Sequence, residues 1–282
     1  MAVKIIGVTS SGLEPADALK YGLTSVPLRV NFGMETLRDG VDISKDEFLR
    51  RLAASKLFPT TSQPPAGDFL TLYQQFRAEG RDILCVVVSN KLSGTWLSAN
   101  TAKQQLDDDH VTVFDTLNVA AGEAMMLIEA ARLASAGQTI AEILPRLEVM
   151  RDRMKLYFVL DTLEYLAKGG RVGNAQAFIG SVLQMKPILE IRNGLVEGAE
   201  RIRTKAKAQA RLRTLIAESM QQGKSKAQMC VLYTGVPDSA IEFAEELKRQ
   251  YHLSECAVYS MSPAVSAHTG PGALGFGLFV ED

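Results

Sequence analysis

Ile83-Leu84-Cys85-Val86-Val87-Val88, followed two residues later by Lys91-Leu92-Ser93-Gly94-Thr95-Trp96-Leu97-Ser98-Ala99, is the stretch from which the fold is read. Six apolar residues in a row predict a strand buried on both faces, and good helix formers run from the turn to about Leu106. A buried strand passing through a short polar turn into a helix leaves backbone N–H groups unpaired at the helix start. Those donors and the helix dipole suit an anion, and Gly94 lets a ligand approach the backbone. The same residues also read as a Ser/Thr helix cap with nothing bound.

Upstream, Lys4 to Val8 predicts a first buried strand ending in the polar loop Thr9-Ser10-Ser11-Gly12. In open α/β sheets ligands bind at that carboxyl edge. Thr24 to Val30 reads as a second strand, at an edge because of Pro27, and Met34 to Val41 as a polar turn. Ser44 with Glu47 three residues on forms a capping box for a helix that buries Phe48 and Leu52. Pro59-Thr60-Thr61-Ser62-Gln63-Pro64-Pro65 is rich in hydroxyls and stiffened by prolines. It either holds hydroxyls toward a ligand or caps the helix that follows. Val111 to Phe114 is the next strand, and helices from about Val119 to Ala134 and Thr139 to Arg153 close this half.

Beyond residue 155 the texture changes. Leu156 to Leu160 is a strand, Thr162 to Ala167 a short helix, and Gly169-Gly170-Arg171-Val172-Gly173 either a tight turn presenting a guanidinium or a helix end. Ala175 to Met185 is apolar on most faces, as in a core helix or one lining an apolar cavity. Asn193-Gly194 between Pro187–Arg192 and Leu195–Gly198 is a strong hairpin signal. Arg201, Arg203 and Lys205 follow as a basic run, a solvated face or a dock for an acidic partner. Gln228–Tyr233 and Glu255–Ser260 are strands around a helix at 238–250, and His268 lies in a Gly/Pro-rich turn before an apolar final strand. The predicted fold class is α/β with two domains: residues 1–153 with a mainly parallel, helix-flanked sheet, and 154–282 with a mixed sheet.

Composition narrows the function. The 282 residues are 46% hydrophobic and 22% charged, and 31 Lys plus Arg against 32 Asp plus Glu give no general attraction to nucleic acid or anionic membrane. Cys85, Cys230 and Cys256 sit in apolar runs and read as free thiols. The N-terminus reads as a strand rather than a signal peptide, and no apolar run approaches the roughly 18 residues of a membrane helix, so a cytoplasmic protein is expected. Thr61, Ser62, Ser93 and His268 are neutral or weakly cationic donors. No paired acids, H-E-x-x-H, Walker A or G-x-S-x-G pattern accompanies them. Donors for an anion without nucleotide machinery point to binding; no metal is expected. The alternative is a hydrolase acting on an acyl ester with Ser93 as nucleophile and His268 as base, for which no orienting carboxylate is nominated.

Arg38-Asp39-Gly40, Thr61-Ser62-Gln63-Pro64, Leu92-Ser93-Gly94-Thr95, Gly169-Gly170-Arg171 and His268-Thr269-Gly270-Pro271-Gly272 occur in the order seen in DegV-family proteins, which the whole chain resembles. The resemblance implies two α/β domains with a long-chain fatty acid buried at their interface. It implies no cofactor beyond that ligand and no ATP site in this chain. It also implies a role like that of the fatty-acid-binding subunit of bacterial fatty acid kinase, which presents the acyl carboxylate to a separate kinase subunit for acyl-phosphate formation. Thr61, Ser93 and His268 are then carboxylate contacts, with Ser62, Gly94 and Thr95 beside them. Arg171 matches the family's arginine near the head group and the kinase-facing surface, and Arg201 and Arg203 a basic stretch for docking the kinase. Phe178, Ile179, Val182, Leu183 and Met185 are candidates for the acyl-chain lining. The family's usual Thr-Asp-Ser is here Thr9-Ser10-Ser11, so Ser10 and Ser11 enter only as head-group contacts of altered character.

Overall fold

The computed structural model describes residues 2–55, 57–178, 186–221 and 226–281. In chain order the strands are β1 Val3–Val8, β2 Thr24–Val26, β3 Arg29–Phe32, β4 Glu35–Arg38, β5 Thr60–Ser62, β6 Asp82–Val87, β7 Val111–Asp115, β8 Lys155–Val159, β9 Lys186–Arg192, β10 Leu195–Ile202, β11 Lys226–Tyr233, β12 Cys256–Ser260 and β13 Leu274–Glu281. The α-helices are α1 Pro15–Lys20, α2 Lys45–Ala54, α3 Ala66–Ala78, α4 Thr95–Leu106, α5 Ala121–Ser135, α6 Ile140–Arg153, α7 Glu164–Lys168, α8 Lys205–Gln221, α9 Asp238–Gln250 and α10 Pro263–Thr269.

The apolar run at 83–88 forms β6, inside a parallel sheet of order β2-β1-β6-β7. Both of its faces are covered, which is why its residues do not alternate in polarity. Ile83, Cys85 and Val87 face α3 and α4, whereas Leu84 and Val86 face α5. The second half supplies a mixed sheet of order β10-β9-β8-β13-β11-β12, with α8 and α9 on its outer face. Helix α5 lies between the two large sheets and is buried almost all round, from Ala121 through Leu133. One apolar core thereby runs from Ile5 and Leu84 through Met126 to Leu189 and Phe279.

Two predicted elements are corrected. Thr24–Val30 is not one strand: β2 pairs in parallel with β1, and β3 joins a separate antiparallel sheet of order β4-β3-β5. Pro27, which cannot donate to a ladder, marks the switch, and Leu28 N–H donates instead to Thr9 Oγ1 at 3.0 Å. The predicted turn at 34–41 contains β4, an edge strand whose mostly exposed residues carry no inward-outward pattern.

The hairpin at 193–194 forms, with Asn193 at φ 50° and Gly194 at φ 81°. Its tip docks on the parallel sheet: Ser89 Oγ donates to Gly194 O at 2.8 Å and Lys91 Nζ to Asn193 O at 2.8 Å. A Cβ at Gly194 would stand 2.6 Å from Ser89 Oγ, whereas Gly80, at φ 72°, has open space around it. Gly80→Ala therefore meets only the positive-φ penalty of about 1 kcal/mol, and Gly194→Ala adds the clash for a total nearer 2–4 kcal/mol. Urea unfolding of both variants measures the difference; equal losses would show that the docked tip does not contribute.

Candidate ligand-binding site

The carboxyl ends of β1 and β6 open into a mostly apolar cavity, at the edge where open α/β sheets bind ligands. Its walls include Leu28, Val88, Leu92 and Val119 from the first half, and Phe158, Leu166, Ile191 and Val196 from the second. Ser10, Thr61, Ser62, Gln63, Ser93, Arg171, His268 and Thr269 supply its polar groups. Thr61 and Ser62 lie on β5, which pairs with β3 and follows Phe58 in the chain. That ring lies 5.2 Å from the ring of Tyr165 on α7, with Lys168 Nζ 3.5 Å from its centroid.

His268 is not in a turn but one residue before the end of α10. The start signals were in the sequence, since Ser262 Oγ accepts from Val265 N–H and Pro263 stands at the first helical position. The helix shows no polar face because it is almost wholly buried, with Ala264 and Ala267 in the core of the first half. Asp39, 1% exposed, holds its start by accepting from Ala264 N–H at 3.2 Å. At its end His268 Nε2 lies 2.7 Å from Thr61 Oγ1. The other ring nitrogen, Nδ1, is buried with no hydrogen-bond partner among the described residues. It presses against Gly169, where a Cβ would come within 2.1 Å of it. Burial first, then the nearby Arg171 charge, lowers the imidazole pKa from 6.5 to about 4, so the ring is neutral at pH 7.

Ser93 lines the cavity just ahead of α4, and its Oγ pairs with Thr95 Oγ1 at 2.8 Å. Gly94 takes the N-cap position and packs against Gln63, while Thr95 is fully buried beneath them. Arg171 reaches the cavity wall, with Nη1 donating to Gly169 O at 2.7 Å and Nε to Leu92 O at 3.1 Å. No carboxylate pairs with it among the described residues. Ser10 lines the cavity and bonds Glu123, but Ser11 turns back to Val8 O at 3.0 Å and is no part of the wall. Arg201 and Arg203 are exposed on and after β10, with Arg201 Nη2 donating to Ala177 O at 2.8 Å, and neither lines the cavity. The apolar helix predicted at 175–185 begins instead as a 3-10 turn, Gly173–Phe178. Ile179, Val182, Leu183 and Met185 lie outside the described residues, as does the Phe178 side chain.

Several contributors escaped sequence reading. Asp39 and Gly169 sat inside motifs without a role, because their contacts reach α10 across more than 90 residues of chain. Glu123 did carry a signal: an acid in an apolar helix whose neighbours three and four residues on, Met126 and Leu127, are not cations. Among the described residues no cluster of three or more His, Cys, Asp or Glu is arranged to hold a metal.

A base whose folded pKa falls from 6.5 to about 4 favours folding in its neutral form. That contribution is whole above pH 6.5 and is lost as the pH drops toward 4, amounting to about 3 kcal/mol at most. In urea titrations between pH 7.5 and 4, the wild-type protein should lose stability relative to His268→Gln by an amount of this order; parallel curves would contradict the buried neutral imidazole. Gly169→Ala should displace the ring and abolish the Thr61–His268 contact, seen as the loss of the perturbed histidine titration by NMR.

The family model described as uncharacterised protein, DegV family, matches residues 2–281. A DegV domain-containing protein of Listeria innocua is 33% identical over 282 residues, covering 99% of each chain. Among solved structures, a fatty-acid-binding DegV family protein from Thermus thermophilus superposes with a TM-score of 0.93 at 33% identity, covering 100% of both chains. The fatty-acid-binding DegV protein of Bacillus subtilis superposes at 0.90 with 29% identity and the same coverage. A stearic-acid-binding protein from Eubacterium ventriosum gives 0.91 at 25% identity, covering 99% of this chain and 98% of its own. An α/β chain whose cavity joins apolar walls to hydroxyl donors and an arginine, and whose full length matches these proteins, belongs to the DegV family.

Proposed function

We propose that this protein binds a long-chain fatty acid, burying the acyl chain in the cavity and holding its carboxylate with Thr61, Ser93 and Arg171. The observation that carries this reading is an apolar cavity with hydroxyls and one arginine lacking a carboxylate partner among the described residues. Fatty acid binding by the Thermus thermophilus and Bacillus subtilis relatives supports it. Burying a methylene yields about 0.8 kcal/mol, so a tail of 16 to 18 carbons offers on the order of 12 kcal/mol before the costs of binding. The head group is the problem, because a buried carboxylate costs several kcal/mol unless its oxygens are hydrogen-bonded.

His268 answers part of that cost indirectly. A proton on Nδ1 would be a buried donor without an acceptor, which is rarer and costlier than an unpaired lone pair, so the proton belongs on Nε2. Nε2–H then donates to Thr61 Oγ1, and the Thr61 hydroxyl is free to give its own proton to the ligand. In this reading His268 orders Thr61, and Gly169 makes the room for it to do so.

The rest of the proposal is a division of labour. The chain has no ATP site and serves a separate ATP-dependent kinase subunit, which phosphorylates the presented carboxylate; Arg171, Arg201 and Arg203 face that partner. Residues 1–153 and 154–282 act as two domains clasping the lipid, the first bearing Thr61 and Ser93 and the second Arg171 and His268, in a cytoplasmic protein. The hydrolase alternative has no observation behind it: His268 pairs with Thr61 rather than Ser93, and no carboxylate orients its Nδ1 among the described residues.

Purified protein, denatured and extracted, should release a fatty acid by mass spectrometry. Each hydrogen bond to a charged head group is worth about 1.5–3 kcal/mol, so Thr61→Val and Ser93→Ala should each weaken oleate binding by roughly 10- to 100-fold. Unchanged affinity in both would remove the head-group site. With ATP and the kinase subunit added, acyl phosphate trapped by hydroxylamine should form, and Arg201→Glu combined with Arg203→Glu should slow it about tenfold or more.

A further inference from the structure

Helix α5 holds two buried acids in opposite circumstances. Glu129 is braced by Arg132 Nε at 2.9 Å and Arg146 Nε at 2.8 Å. Glu123, two turns earlier and 0% exposed, has among the described residues no cation and one hydrogen-bond partner, Ser10. Ser10 Oγ lies 2.8 Å from Oε2 and 3.1 Å from Oε1, and Ser10 itself lines the ligand cavity. A serine has one proton. If Glu123 were ionised, that proton would point back at the carboxylate and Ser10 would turn only lone pairs toward the cavity. If Glu123 keeps its proton, it donates to Ser10 Oγ and the serine proton is released to the cavity side.

We propose that Glu123 is a positioning residue for the head-group site: as a neutral acid it donates to Ser10 and so makes Ser10 a hydrogen-bond donor to the fatty-acid carboxylate. The proposal rests on the fatty-acid reading above and deepens it, since it gives the site a preference for a carboxylate over a hydroxyl end group. Burial pushes the Glu123 carboxyl well above the usual range, the Ser10 hydroxyl opposes this, and Asp115 on β7 adds to it. Cys85 on β6, which lies close enough to feel the Glu123 charge, is itself buried with its thiol pushed up to about 12, and offers no charge to stabilise an anion. The arrangement repeats the one across the cavity, where a neutral His268 orders Thr61: two buried groups without counter-ions each turn a hydroxyl toward the same space.

The test measures binding of oleate and of oleyl alcohol by the full-length protein from pH 6.5 to 9. Ser10→Ala and Glu123→Leu should each weaken oleate about tenfold while changing oleyl alcohol little, and Glu123→Gln, whose amide N–H replaces the acid proton, should recover most of the loss. Any fall in wild-type affinity for oleate with rising pH that comes from Glu123 should be absent in Glu123→Gln. Difference infrared spectra of wild type against Glu123→Gln at pH 7 should show a protonated-carboxyl band missing from the variant. Wild-type oleate affinity in Ser10→Ala, a pH-dependent fall that survives in Glu123→Gln, or the absence of the infrared band would each overturn the proposal. Loss of oleate binding in Thr61→Val with none in Ser10→Ala overturns this inference alone, whereas no oleate binding by the wild type overturns the fatty-acid reading with it.

Discussion

The contact between Thr61 and His268 spans 207 residues of chain at 2.7 Å, and most of what is notable about this molecule serves to hold it. It requires α10, from the far end of the chain, to be embedded in the core of the first half. Ala264 and Ala267 give it an apolar foot there, and Asp39 ties down its first turn. Gly169 stands where any side chain would push the imidazole away. A hydrogen bond of this kind contributes only about 1 kcal/mol net, but leaving either partner unsatisfied in a buried place costs more than making it contributes. The surrounding structure therefore fixes a geometry rather than adding much stability.

The same economy governs the cavity. An ion pair between a buried carboxylate and an arginine stripped of water has to recover a large desolvation cost. Arg171 keeps two backbone carbonyls as partners and stands at the cavity wall, so in the proposed fatty-acid reading it lends charge without being fully dehydrated. Hydroxyls from Thr61, Ser93 and Ser10 supply directional donors that carry no charge of their own to desolvate. In that proposed reading their value depends on which way each proton points, and that is decided by neighbours behind the cavity wall. Helix α5 contributes one such neighbour because, packed between two sheets, it has no face on which Glu123 could reach water.

Local features were legible where the chemistry is local. Ser44 caps α2 by accepting from Glu47 N–H, Asn193-Gly194 turns between β9 and β10, and α9 spans the residues its amphipathic pattern marks. Reading failed where two faces of an element are equivalent. β4, exposed on most of its residues, and α10, buried on nearly all of them, have no polarity contrast to read. Thr24–Val30 misled differently, since the pattern of a strand says nothing about which sheet will pair with each part of it.

By itself the sequence determined that this is an α/β chain, that β6 is buried on both faces, and that Thr61, Ser62, Ser93, Arg171 and His268 are polar groups open to either a ligand or a capping role. Backbone propensity and hydrophobic period act over a few residues, and these facts need no more. Only the tertiary structure decided that His268 sits on a helix against Thr61, that Ser11 and Thr95 turn inward, and that Ser10 meets Glu123 rather than solvent. Hydrogen bonds are directional and reach about 3 Å, so which donor faces a cavity depends on packing between segments 100 or 200 residues apart, and no periodicity encodes that distance.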